Sequence, residues 1–84
     1  MNEKEIGKLA GTCYELNAKK NVDVYLCFHG NTNCICVSVE ENRSLVYQNK
    51  AFANNSKGIQ DMINDVTKML EEKERQQDGK AAVL

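Results

Sequence analysis

The segment "VDVYLCFHGNTNCICVSVE", residues 22–40, alternates apolar and polar side chains on both sides of a short stretch rich in Gly and Asn. Alternation with a period of two indicates a β-strand with two different faces, and Gly and Asn tolerate the positive φ angles of tight turns. The segment therefore predicts a β-hairpin with strands at 22–29 and 34–40 and a two-residue turn at Asn31 and Thr32.

The register of this hairpin predicts one aliphatic face. An even number of loop residues places the aliphatic rows of the two strands on the same side, so that Phe28 opposes Ile35 and Val24 opposes Val39. The second face of the hairpin is polar, aromatic or sulfur-containing, and its only charged residues are Asp23 and Glu40. The aliphatic face is the expected core face of a small sheet.

Helical periodicity flanks the hairpin on both sides. Apolar residues at spacings of three and four predict a helix over 2–20 and another over about 56–76. Asn21 is a suitable left-handed stop for the first helix, and Asn55 or Ser56 is a suitable N-cap for the second. Each helix has one apolar side to place on the sheet.

A third strand is predicted over 44–49, and its register is open. A three-residue loop after the hairpin would point Leu45 and Tyr47 toward the core, whereas a two-residue loop would point Val46 there. The three-residue loop is favoured because it buries the larger side chains. Phe52 follows in a loop, where it is expected to be a buried anchor.

The order of elements predicts a two-layer α+β domain: helix, three-stranded antiparallel sheet, helix (αβββα), with both helices on one face of the sheet. Eighty-four residues are enough for one small core and no second one. Residues 1–76 are expected to form this single domain. Gly79 is expected to stop the second helix, which leaves 77–84 as a C-terminal tail.

Composition and charge limit the classes of function. The net charge of −1 gives no general attraction for a polyanion. No apolar run approaches the length needed to span a membrane, and the polar N-terminus lacks the apolar core of a signal peptide. A cytoplasmic location is therefore expected, with the four cysteines reduced. No cofactor is expected.

The second face of the sheet is the candidate binding surface. With both helices on the aliphatic side nothing covers it, and a charge-poor surface of Tyr and Cys has the composition of an interface centre. The expected partner is another protein, most simply a second copy in a homodimer, and the expected action is binding rather than catalysis. The predicted contact residues are Tyr25, Cys27, His29, Cys34, Cys36, Ser38 and, in the favoured register, Val46.

A metal or thiol-redox switch on this hairpin is the lower-ranked of two alternatives to protein binding. It is considered because Cys27, His29, Cys34 and Cys36 share one face. Four ligands on a flat sheet converge poorly into a tetrahedron, and the hairpin contains no Lys or Arg to activate a thiolate. An enzymatic Cys–His pair would also lack its third group, because Asp23 is separated from this histidine by about 20 Å along the strand.

A nucleic-acid-binding module is the first alternative, because the order helix, three strands, helix is also that of double-stranded-RNA-binding domains. Its contacts would come from dispersed basic residues, and the segment "NNSKGIQD" at the start of the second helix contains one lysine instead of a basic cluster. The basic candidates are Lys19, Lys20, Arg43, Lys50 and Lys57.

Acidic residues on the second helix form another candidate surface. Asp61, Asp65 and Glu72 are expected to lie on its solvated side, where they would alternatively offer carboxylates to a basic protein. Small, acidic, proline-free α+β chains are frequent among inhibitor and accessory proteins of phages and mobile elements. A regulatory role of that kind is the corresponding expectation.

Overall fold

The predicted element order is confirmed in a computed structural model, which describes the backbone of residues 3–83 and the side chains of residues 3–75. Two helices flank a three-stranded antiparallel sheet, so the chain has an α+β fold. The elements are α1 (Glu3–Asn17), β1 (Val22–His29), β2 (Cys34–Glu41), β3 (Ser44–Phe52) and α2 (Ser56–Val83).

The first hairpin has the predicted register. Phe28 pairs with Ile35 and Val24 pairs with Val39, so the aliphatic rows of β1 and β2 share a face. The connection is a four-residue loop over 30–33 instead of a two-residue turn, and within it only Asn33 has a positive φ, 51°. Because four is also an even number, the longer loop leaves the faces of both strands as predicted.

The second hairpin differs from the favoured prediction. Its turn consists of two residues, Asn42 and Arg43, which both adopt left-handed φ angles of 54° and 68°. Two consecutive left-handed residues match the twist of the strands that they join. Beyond the turn the pairing shifts by one residue, because Glu40 pairs with Leu45 whereas Val39 pairs with Tyr47.

This shift is a β-bulge, and it determines where the side chains of residues 45–47 point. Before the bulge Leu45 opposes Glu40 and is 56% exposed, so the prediction that it points into the core is wrong. After the bulge Tyr47 packs against the core, as predicted. Val46 is the extra residue, and it lines a hollow together with core residues such as Val39.

The third strand is also longer than predicted and ends at Phe52. Phe52 pairs with Cys34 and is 59% exposed, so the expectation of a buried anchor there is wrong. The preceding residue, Ala51, pairs with Ile35 and is buried instead. The strand continues in register through this point, and its alternation therefore turns the aromatic ring away from the helices.

The core lies between the sheet and the two helices. α1 packs on β1, α2 packs on β3, and the helices contact each other, so both cover the same face of the sheet. The apolar side of α2 shows the predicted periodicity. Buried residues include Leu9, Cys13 and Leu16 of α1, Ile35, Val37 and Val39 of β2, and Ile59, Met62, Ile63 and Val66 of α2.

The predicted helix ends agree with the structure only in part. Asn21 has the expected left-handed φ, 64°, although α1 already ends at Asn17. Asn55 caps α2, since its Oδ1 accepts a hydrogen bond from the backbone N of Gly58 at 3.0 Å. Gly79 does not stop α2, which continues to Val83. A single Gly costs about 1 kcal/mol in a helix, which neighbouring good helix formers such as Gln and Ala can offset.

Candidate functional site: the outer face of the sheet

The sheet face opposite the helices, called the outer face below, consists of four rows of three side chains. The register of the two hairpins defines the rows, from the Asn42–Arg43 turn toward the 30–33 loop. The rows are Asp23, Glu40 and Leu45; then Tyr25, Ser38 and Gln48; then Cys27, Cys36 and Lys50; and last His29, Cys34 and Phe52.

Among the described residues, the helices pack only on the opposite face, and the outer face carries several exposed apolar or sulfur-containing groups. Tyr25 is 49% exposed, and Cys27 is exposed as well. The central strand is less accessible, because Cys36 and Ser38 lie between two neighbouring strands. Six of the seven predicted contact residues therefore share one surface, and Val46 is the exception.

The third strand adds residues that the sequence-based site did not include. Gln48 and Lys50 occupy the middle rows, and the apolar side chains of Leu45 and Phe52 lie in the two end rows. The bulge, which has no Gly or other sequence marker here, hid Leu45, and the extension of the strand beyond Asn49 hid Lys50 and Phe52. Gln48 already points outward in the favoured register. Strict alternation carried through to residue 52 would have indicated Lys50 and Phe52.

The chemistry of Cys36 depends on its neighbours in these rows. Desolvation raises the pKa of the Cys36 thiol, and the nearby Cys34 thiol raises that pKa further. The ammonium group of Lys50 on the paired strand has a smaller, opposite effect. A raised pKa keeps the thiol protonated and weakly nucleophilic near neutral pH. Cys36 therefore contributes to the outer face as a neutral, polarisable side chain.

All four cysteines are free thiols. The backbone N–H of Asn42 donates a hydrogen bond to the carbonyl O of Asn21, just before β1. Hydrogen-bonded and non-hydrogen-bonded pairs alternate along an antiparallel ladder, so Cys27 and Cys36, six residues farther along each strand, form a hydrogen-bonded pair. The distance between the two β-carbons of a hydrogen-bonded pair is near the upper end of the range of about 4.5–5.5 Å. A disulfide prefers a distance between its β-carbons of about 3.8 Å. A bridge within the hairpin would require the strands to move.

Metal binding and acid–base catalysis gain no support from the arrangement of the outer face. Within residues 3–75, no three His, Cys, Asp or Glu side chains converge into a group that would hold a metal ion. Asp23 lies in the first row and His29 in the last, at opposite ends of β1. The separation along the strand, about 20 Å, prevents the carboxylate from orienting the imidazole of the same chain.

The predicted acidic surface of α2 is partly engaged within the chain. Asp65 is half-buried, and its Oδ2 accepts a hydrogen bond from the Tyr47 hydroxyl at 2.8 Å, so it does not belong to a fully solvated stripe. Asp61 pairs with Lys57 at 3.4 Å. Glu72 is exposed at the rim of the hollow beside Val46.

The hollow itself follows from the bulge. Its floor is apolar, with Leu16, Val22, Val39 and Met69 beside Val46, and the ion pair between Lys73 and Glu41 lies at its rim. Its empty volume, open solvent included, is about 510 Å³. It opens between the helices and the end of the sheet, away from the outer face.

The basic candidates are divided between the two ends of the molecule. Lys19 and Lys20 follow α1 near the Asn42–Arg43 turn, whereas Lys57 lies in the first turn of α2 at the opposite end and is already paired with Asp61. Lys50 lies on the outer face. The side chains do not form a continuous strip that would follow a phosphate backbone.

Comparison of the chain with protein-family models, with curated proteins and with solved structures found no significant match in any of the three.

Across the described part of the chain, neither helix combines the length and the hydropathy that a membrane span requires.

Proposed function

We propose that this protein is a small interaction module that acts by binding another protein through the outer face, and that the simplest partner is a second copy of the chain. The observation that carries the proposal is that, among the described residues, neither helix covers the outer face. Both helices lie on the opposite side of the sheet, and the exposed face has Tyr25, Cys27 and Phe52 as accessible apolar or sulfur-containing groups.

The composition of this face supports binding more than catalysis. Interface centres are poor in charge and rich in aromatic and polarisable side chains, and charges tend to lie at the rim. In the two middle rows Lys50 is the only charged residue, whereas Asp23 and Glu40 lie in an end row. A small domain also gains stability when such a surface is buried in an assembly.

We propose further that the module works in the cytoplasm as a regulatory or inhibitory component and is not an enzyme. The four free thiols support a reducing compartment, because exposed cysteines such as Cys27 persist as thiols there.

Analytical ultracentrifugation of the native chain tests the proposal. Self-association should appear as a concentration-dependent shift from monomer to dimer over about 1–500 µM, the range expected for a small interface. Tyr25→Lys or Cys36→Lys should shift this equilibrium toward monomer, because each variant introduces a charge that must be desolvated on association.

Lys20→Glu is the matched control, since it changes an exposed charge away from the outer face and should leave the equilibrium unchanged. A native chain that sediments as a monomer at every concentration would defeat the homodimer. Duplex RNA added at low salt tests the nucleic-acid alternative in the same experiment, and co-sedimentation that weakens with salt would favour it.

A further inference from the structure

We infer that two copies pair through their outer faces about a twofold axis that lies in the interface and runs perpendicular to the strands. This inference rests on the proposed function and adds to it the orientation of the partner. It identifies which end of one outer face meets which end of the other, and which side chains should touch across the interface.

The distribution of charge along the strands is the first argument. The acidic residues Asp23 and Glu40 share the row beside the Asn42–Arg43 turn, whereas Lys50 lies in the half of the face toward the 30–33 loop. The outer face is therefore electrostatically polar along the strand direction. Interfaces that place like charges opposite each other are disfavoured, and complementary placement fixes their register.

Two isologous arrangements are possible for aligned sheets packed face to face. An axis parallel to the strands would keep each row opposite itself, so that Glu40 meets Glu40 of the other copy. An axis perpendicular to the strands reverses the rows, so that the acidic row of each copy meets the row containing His29, Cys34 and Phe52 of the other. Only the perpendicular axis separates the acids.

The apolar side chains of β3 give a second, independent argument. Leu45 is 56% exposed at one end of this strand, and Phe52 is 59% exposed at the other. The perpendicular axis places each Leu45 against Phe52 of the other copy, which makes two apolar contacts. The parallel axis would instead place Leu45 against Asp23 and Phe52 against His29, and both contacts would bury apolar surface against polar groups.

The size of the face sets the expected strength of the dimer. The outer face is three strands wide and about eight residues long, which gives a surface of about 14 by 26 Å in projection, or roughly 370 Å² per copy. Standard interfaces bury about 800 Å² of accessible surface per partner, so this dimer belongs at the small, weakly bound end of the range. We therefore expect dissociation constants in the micromolar range or above.

Disulfide trapping tests the orientation directly. In a background with Cys27→Ser, Cys34→Ser and Cys36→Ser, Asp23→Cys and His29→Cys are introduced into separate chains of different mass. Mixing the two variants with glutathione disulfide, which accepts the two electrons as it becomes two glutathione thiols, should give a mixed covalent dimer as the main product. Asp23→Cys alone should give at least tenfold less covalent dimer than the mixture.

Asp23→Cys mixed with Leu45→Cys is the matched alternative, because these positions meet only if the axis is parallel to the strands. A dimer that traps this pair, or that traps neither pair, overturns the inferred orientation while the proposed function remains. A native chain that is a monomer by sedimentation overturns both.

A charge exchange provides a second measurement with all native cysteines in place. Across the inferred interface, Glu40 of one copy is within reach of Lys50 of the other, since the two positions are diagonal neighbours after row reversal. Glu40→Lys and Lys50→Glu should each weaken self-association about tenfold, and an equimolar mixture of the two variants should associate more tightly than either alone. A mixture that associates no better than the single variants contradicts the inference.

Discussion

The two faces of the central strand differ in every respect that matters for its role. On the side of the helices, Ile35, Val37 and Val39 are at most 2% exposed and pack into a single core. On the outer face, Cys34, Cys36 and Ser38 alternate with them and remain partly accessible. One strand thus divides its residues between the core and an accessible surface, which is the proposed contact with a partner. Substitutions at adjacent positions should separate folding from the proposed binding.

The largest contrast is expected between Ile35 and Cys36. Ile35→Ala should lower the free energy of unfolding by about 2–5 kcal/mol, because it removes buried methyl groups and leaves a cavity. In a domain of this size such a loss approaches the whole stability. Cys36→Ala should change it by only about 0.5 kcal/mol.

Urea denaturation followed by circular dichroism measures both effects, at protein concentrations low enough to keep the chain monomeric. Equal losses for the two variants would show that the outer face is as important for folding as the core. In that case the division between the two sides of β2 would be wrong.

The difference between the two hairpins explains how far sequence reasoning reached. In residues 22–40 the alternation is unbroken on both strands, and the predicted pairing of Phe28 with Ile35 is confirmed although the loop is longer than expected. Periodicity fixes the faces wherever no residue is inserted, because one slip would move every side chain to the other side. The same argument failed at Leu45, where a bulge inserts one residue without any Gly or Pro to mark it.

Exposure was harder to predict than pairing. Phe28 faces the core side of the sheet opposite Ile35, as expected, yet it is 61% exposed, and Phe52 is directed to the outer face by a strand that continues past Asn49. Alternation gives the direction of a side chain, whereas its burial depends on whether a helix extends that far. Both rings lie toward the end of the sheet that carries the 30–33 loop.

The same contrast between a packed and an open position exists for two glycines in the helices, Gly58 and Gly11. The expected change in the free energy of unfolding lies between those for Ile35 and Cys36. A β-carbon at Gly58 would approach Ala51 Cβ to 2.9 Å and the capping side chain of Asn55 to 2.8 Å. Gly58→Ala should therefore lower the free energy of unfolding by about 1 kcal/mol, since crowding outweighs the better helix propensity of Ala.

Gly11→Ala is the matched control, because no atom lies within 4 Å of the β-carbon that it would introduce. It should raise the free energy of unfolding by about 0.5–1 kcal/mol through propensity alone. Thermal melts of the two variants should shift in opposite directions. A stabilising Gly58→Ala would mean that the start of α2 lies farther from Ala51 than the structure indicates.

The smallest effect concerns Tyr47, at the border between the core and the solvent. Burial raises the pKa of its hydroxyl to about 12, and the carboxylate of Asp65, which accepts its hydrogen bond, contributes to the rise. The folded chain therefore holds this proton more firmly than the unfolded chain, in which a tyrosine titrates near pH 10. The resulting stabilisation is fully present below pH 10 and is lost as the pH rises from 10 through 12.

Tyr47→Phe removes the titrating group and should make stability less dependent on pH between 10 and 12. Burial also raises the pKa of Cys13 to about 11, but that thiol is present in both proteins, so its contribution cancels in the comparison. Asp65→Asn retains an acceptor without the charge and should reduce the dependence only in part, because burial is the larger cause. Urea unfolding at several alkaline pH values decides the question, and identical slopes for native chain and Tyr47→Phe would place the hydroxyl in solvent.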